Sequence, residues 1–161
     1  MLIAGIDPGA NGAIAVLDAE HPDSVALLDL KKNSITNIRN WLIAELCLNF
    51  SKVKSEIWIE SVHSLPGMSA KSNFGFGRNL GIVLTLAEVL EETPPKMVTP
   101  KVWQKYIGVT AKGKAIKQDV AKIAQGLYPS AELHGKKGGL LDGRSDALMI
   151  AHYGLHNKEK G

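Results

Sequence analysis

Four carboxylates stand where an acid needs explaining. Asp7 directly follows the apolar run 2–6 and precedes Pro8 and Gly9, and Glu60 closes Glu56-Ile57-Trp58-Ile59. Each is delivered by the end of a short apolar strand into a segment that breaks it. Asp142 and Asp146 sit one helical turn apart, on nearly the same face, where an apolar stretch reads as the start of a buried helix. A charge set directly against buried residues is costly unless it is solvated, paired or bound to a metal. Carboxylates brought together repel, so a divalent cation resolves the arrangement, and hard oxygen donors suit Mg²⁺ or Mn²⁺. Taken alone, Asp7 reads as a turn cap and Asp142 as a helix N-cap. The repetition of the strand-end acid at Glu60, and an Asp146 that is disfavoured inside a helix, argue for a shared site.

The elements that must position these acids follow from apolar periodicity. Strand 2–6, a turn containing Gly9 and Gly12, and strand 13–17 form a hairpin, and 24–30 adds a third antiparallel strand. Ser34 caps an amphipathic helix through Ile35, Ile38, Leu42, Leu46 and Cys47 to about Phe50. Strand 56–60 follows, and a crossover through that helix lets it lie parallel to the first strand, so that Asp7 and Glu60 share one end of the sheet. Residues 61–79 read as a long loop rich in Ser, Gly and Asn, with Lys71 among them, and 80–90 as a helix ended by Pro94 and Pro95. A short strand at Met97 and Val98 precedes a helix begun by Thr99 and Pro100. Lys112-Gly113-Lys114 is a basic loop, 115–127 a helix, and 128–140 a second flexible basic loop leading to the last helix.

At 161 residues, with 45% hydrophobic and 22% charged residues, the chain is expected to form one domain, 1–161, with a real core. One cysteine, Cys47, excludes an internal disulfide and a Cys-based zinc cluster, and its place in the helical pattern makes it core. No apolar run reaches the length of a membrane span, and the N-terminus lacks the basic flank and cleavage site of a signal peptide. No membrane association is therefore expected, and a cytoplasmic location is. Charge is unevenly spread: residues 96–137 hold nine lysines against two acids, whereas 1–95 hold seven basic residues against eleven acids. A polyanion-binding face beside an acidic centre would look like this, and so would lysines on a solvated helix.

Over nearly its whole length the chain resembles the RuvC-type Holliday-junction resolvases of the ribonuclease H-like superfamily, particularly small phage-encoded members. The resemblance runs through Gly5-Ile6-Asp7-Pro8-Gly9, Ile59-Glu60, the stretch 77–81, the stretch 114–120 and Asp146-Ala147-Leu148. It implies an α/β fold with a mixed five-stranded sheet, three antiparallel strands and then parallel ones, flanked by helices. It also implies a homodimer, in a bacterial or phage-infected host cell, that binds four-way DNA junctions and nicks two opposed strands with Mg²⁺. Asp7, Glu60, Asp142 and Asp146 would hold two ions per site, with Mn²⁺ able to substitute. The last-helix acids are four apart here rather than the three usual in such proteins. His63 stands where they usually carry an aromatic, so stacking at the junction falls to His63, Phe74 or Phe76.

Lys71, Arg78, Lys105, Lys112, Lys114 and Lys117 complete the expected DNA contacts. A dimer helix is expected over 77–90, with Gly77 and Gly81 permitting close approach and Leu80, Val83, Leu84 and Ala87 in contact; the competing reading is that this face packs on the sheet. A broader branched-DNA nuclease and a non-catalytic junction-binding protein of the same fold are the alternatives. A two-domain ATPase of the sugar-kinase or actin type, which can open with a similar Gly-Ile-Asp-x-Gly hairpin, would need a longer chain, so no nucleotide cofactor is expected.

Overall fold

The computed structural model describes residues 1–46, 53–61, 69–90 and 94–157. Its core is a five-stranded sheet of β1 (Leu2–Asp7), β2 (Ala13–Asp18), β3 (Val25–Asp29), β4 (Ser55–Glu60) and β5 (Lys96–Val98) in the order β3-β2-β1-β4-β5. The pairs β1–β2 and β2–β3 are antiparallel, and β1–β4 and β4–β5 parallel. This is the expected mixed five-stranded sheet. Helix α1 (Ile35–Glu45), capped by the Ser34 side chain on the Asn37 amide, makes the crossover between β3 and β4. The expected end of α1, with Cys47, lies outside the described residues.

Both faces of the central strand are covered. Leu2, Ala4 and Ile6 join Ile57 and Ile59 of β4 in a core closed by α1 and α2 (Ala70–Leu90). Ile3 and Trp58 belong to a second core, closed by α3 (Pro100–Tyr106), α4 (Ile116–Leu127) and α5 (Asp142–His156). Because side chains alternate along a strand, Asp7 shares the face of Ile3 and Gly5, and Glu60 shares that of Trp58. The register pairs Gly5 with Trp58 and Ile6 with Ile59, so the next step brings Asp7 level with Glu60 on the α5 side.

Helix α2 begins ten residues before the expected helix, at Ala70. Gly75 and Gly77 are poor helix formers, each costing about 1 kcal/mol relative to Ala. What offsets them is a cap and a tether: the Ser69 hydroxyl accepts from the Ser72 amide at 3.1 Å, and Asn79 donates to the Gly9 carbonyl at 3.0 Å. The loop 128–140 is also more ordered than its composition suggests. His134 bridges Leu140, the Gly135 amide donates to the Gly139 carbonyl, and Gly138 turns the chain with a φ of 79°.

α5 reaches the sheet at backbone contact distance. A Cβ built on Gly5 would overlap the backbone of Ala147 and Ala151, so the absence of a side chain at Gly5 lets α5 lie against β1. The same approach brings the first turn of α5 to the end of β1. Gly5→Ala is expected to destabilise the fold by on the order of 3 kcal/mol, since neither backbone can give way. Urea denaturation measures this, and an unchanged midpoint would show that α5 tolerates a wider spacing.

Candidate active site

The four acids meet at one end of the sheet. Asp7 and Glu60 arrive on adjacent parallel strands and are only 9% and 8% exposed. Asp142 and Asp146 come from the first two turns of α5. Asp142 is not the cap of that helix: Leu141 occupies the N-cap position, and Asp142 is the first helical residue, with its side chain turned to the Lys117 ammonium. The capping role weighed for Asp142 is thereby removed.

Three of the four acids have their own support. The Gly9 amide donates to Asp7 Oδ1 at 2.8 Å, and the Asn79 side chain holds the Gly9 carbonyl, so α2 fixes the turn that fixes Asp7. The wholly buried Trp103 of α3 donates its indole N–H to Glu60 Oε1 at 2.9 Å. Lys117, in the first turn of α4, pairs with Asp142. At the base of α5 the Arg144 guanidinium makes two hydrogen bonds to Asp29 at the end of β3, 2.7 and 3.1 Å long, and a third to the Glu132 carbonyl. That fork anchors the start of the helix carrying Asp142 and Asp146.

The protonation equilibria report the crowding. Burial, with a smaller contribution from Asp142, pushes Asp7 up to about 6, against the opposing Gly9 hydrogen bond and Lys117. Burial and then the Asp7 charge push Glu60 up to about 7, against the Trp103 hydrogen bond. Asp146 is raised well above the usual carboxylate range by burial and by Asp7, Glu60 and Asp142 together, with Lys117 opposing. Lys117 is shifted upward, chiefly by its hydrogen bond to Asp142. The mutual action of all four acids shows that they form one electrostatic unit.

As the side chains stand, no three acids or histidines among the described residues are gathered tightly enough to ligate one ion. The donor chemistry nevertheless fits a hard divalent cation. Four carboxylates converge, three of them resist ionisation where they sit, and one is neutralised by an ammonium.

The fold is similar to solved structures. Thermus thermophilus RuvC in complex with a Holliday junction substrate superposes with a TM-score of 0.58 at 21% identity, over 94% of this chain and 90% of that one. A second T. thermophilus RuvC structure gives 0.52 at 21% identity, over 96% and 95%. The chain has the RuvC fold. No protein-family model and no curated protein sequence matches it.

On this RuvC fold the expected DNA-contacting residues are dispersed, and of them Lys117 alone joins the acids through a described ion pair. Lys71, Phe74, Phe76 and Arg78 lie on the first half of α2, where Phe74 is 76% exposed. Lys105 lies in the last turn of α3, and Lys112 and Lys114 lie on the approach to α4. The Asp119 carboxylate accepts from the Thr110 and Ala111 amides, which fixes the segment leading to those lysines. His63 lies outside the described residues.

The expected dimer contacts need correction. Val83 and Ala87 are each 1% exposed and pack into the chain's own core, and Leu80 and Leu84 lean on the same cluster. The face of α2 that stays open is the opposite one. Phe74, Gly77, Gly81, Thr85 and Val89 lie along it, and a Cβ on Gly77 or Gly81 would meet nothing. Trp103, Asn79 and Arg144 were not singled out from sequence. Trp103 alone carried a signal, since a buried indole N–H requires an acceptor.

The raised acids set a pH dependence. Below about pH 4 both folded and unfolded chains hold these protons. As pH rises through about 6 for Asp7 and about 7 for Glu60, the unfolded chain has already released protons that the folded chain retains, so stability falls. In chelator the melting temperature is expected to drop by several degrees between about pH 5 and pH 8, and Glu60→Gln to flatten that drop. Millimolar Mg²⁺ should restore more stability at the higher pH than at the lower. Melting curves that respond equally to Mg²⁺ at both pH values would show that the acids do not bind it.

Proposed function

We propose that this protein is a metal-dependent, structure-specific DNA endonuclease that resolves four-way junctions by paired nicks on opposed strands. The observation that carries the proposal is the convergence of Asp7, Glu60, Asp142 and Asp146 at one sheet end, on a fold that superposes with a RuvC bound to a Holliday junction. Asp7 and Glu60 from the sheet, with Asp142 and Asp146 from α5, would hold Mg²⁺ or Mn²⁺, two ions per site. Bound there, the ions would supply an activated water and charge neutralisation at the scissile phosphate.

The chain's own residues supply the rest. Trp103 and the Gly9 amide hold one oxygen each of Glu60 and Asp7, which leaves the remaining oxygens free for the cations. Lys117 stands ready to exchange Asp142 for phosphate oxygen, placing a positive charge beside the developing negative one. The exposed Phe74 offers a ring for an unpaired base at a branch point, and the lysines before α4 meet the backbone.

Paired nicks on a nearly two-fold substrate require two sites, and the exposed face of α2 is where a second copy would meet the first. Its glycines allow close approach while its buried face stays committed to the sheet.

Asp7→Asn, Glu60→Gln and Asp146→Asn are each expected to lower Mg²⁺-dependent nicking of a four-way junction by at least about a thousandfold while junction affinity stays within a few-fold. A substituted protein that nicks at full rate would remove that residue from the site, and a wild-type protein inert on branched DNA with Mg²⁺ would sink the proposal. Gly81→Arg adds bulk in open space and improves helix propensity, so the fold should survive. Sedimentation is expected to shift from twice the monomer mass to the monomer mass, and the two nicks to lose their coordination. A variant that remains dimeric would move the interface off α2.

A further inference from the structure

Next to the acid cluster, and sharing Asp142 with it, lies a cavity of about 490 Å³. Its walls come from three separate places: Asn11 on the β1–β2 turn, Lys31 and Lys32 just after β3, and Leu140 and Leu141 just before α5. None of these residues is used by the chemistry described so far.

The charge balance in this cavity is uneven. Its only other acid, Asp29, is doubly bonded by Arg144 and also paired with Lys32 at 3.4 Å, and these contacts hold its carboxyl below the usual range. Lys31 has no carboxylate partner among the described residues. Among the described residues its ammonium reaches the Asn11 side-chain oxygen alone, at 3.4 Å, a contact that leaves the donors of the Asn11 amide N–H₂ unused by Lys31. The cavity thus combines an uncommitted cation, a side-chain amide and an apolar surface from two leucines, directly beside the acids.

We infer that this cavity is a nucleotide subsite: it takes one nucleotide of the cleaved strand next to the scissile phosphate, with its base against Leu140 and Leu141, its edge at Asn11 and its phosphate at Lys31. The combination fits a nucleotide better than an inorganic anion, which would have no use for the leucines, or an apolar ligand, which would leave Lys31 buried and unpaired. Continuity argues for the DNA strand itself rather than a free nucleotide. A strand whose phosphate lies at Asp142 must continue past one side of that residue, and Asp142 is a wall of this cavity. The subsite also gives a reason for the closely packed turn at its base, where a Cβ on Gly143 would overlap the Asn11 carbonyl and so push α5 away from the β1–β2 turn.

This inference rests on the proposed nuclease reading, and its test separates the two. Full-length protein carrying Asp7→Asn, without metal, is titrated with four-way junctions that each lack one base along the strand spanning the cut. One abasic position within two nucleotides of the cut is expected to weaken binding about tenfold, the loss typical of one stacked base. Leu140→Ala and Asn11→Ala should each weaken binding to the intact junction and remove most of that abasic penalty, because a base that has lost its seat has nothing further to lose. Lys31→Ala should lower the slope of log affinity against log salt by about one. Thermal melts confirm that the variants, all altered at partly or fully exposed residues, remain folded. Equal abasic penalties in parent and variants, with an unchanged salt slope for Lys31→Ala, would overturn the subsite while leaving junction binding and nicking intact. Failure of the parent to bind any branched DNA would overturn the nuclease reading and the subsite with it.

Discussion

The structure depends on holding carboxylates together in a place that resists their charge. Asp7 and Glu60 lie side by side at the end of the parallel β1–β4 pair, nearly buried, with Asp146 pressed in from α5. Desolvation dominates each shift, and mutual repulsion adds to it. Such a cluster works against folding at neutral pH, and the surrounding architecture shows how the rest of the chain tolerates it. The strands on either side are apolar on both faces, α5 docks at backbone contact along Gly5, and Arg144 clamps the start of that helix to β3.

The supports are distributed so that no element carries two of them. Asp7 answers to α2 through Gly9 and Asn79, Glu60 to α3 through Trp103, and Asp142 to α4 through Lys117. The positions of these acids therefore report on the packing of three helices against the sheet. The link through Asn79 has a particular consequence, because α2 also presents the open face at Gly77 and Gly81. Anything that docks on that face presses on the helix that holds the turn next to Asp7.

Much of this was legible in the sequence for a simple physical reason. Short apolar runs, the breakers that end them and the carboxylates that follow them are local signals, so β1, β4 and the strand-end positions of Asp7 and Glu60 follow from short windows around 2–7 and 56–60, whereas the pairing of the two strands needed the crossover rule and the full sheet the family resemblance. Where the reading failed, the deciding contact was remote or mixed. Residues 70–79 look like a loop because they include two glycines and two asparagines, yet the Ser69 cap and the bond from Asn79 to Gly9, seventy positions away, make them helix. Val83 and Ala87 belong to an apolar stripe that could face a partner or the sheet, and only the packing shows that it faces the sheet. The partners of Glu60 and Asp142, at Trp103 and Lys117, lie 43 and 25 positions away, beyond any local pattern.

The division of charge along the chain acquires a structural meaning at Lys117. The acids belong to the sheet and the last helix, while the lysines crowd the segment between β5 and α5. Had that segment packed elsewhere, the acid cluster would face water with no cation beside it. Instead α4 packs on α5 and places the ammonium of Lys117 against Asp142, with Asp146 and Asp7 near enough to raise its affinity for a proton. An ammonium held in this way is a single, exchangeable charge facing acids that repel one another, which is a weaker compensation than a divalent cation could provide. The same lysine therefore stabilises the resting cluster and, once Asp142 is engaged otherwise, becomes a free positive charge at the mouth of the site. On the proposed nuclease reading, its position at the boundary between the acidic and basic parts of the fold makes the closed ion pair and the capacity to receive a phosphate two states of one contact.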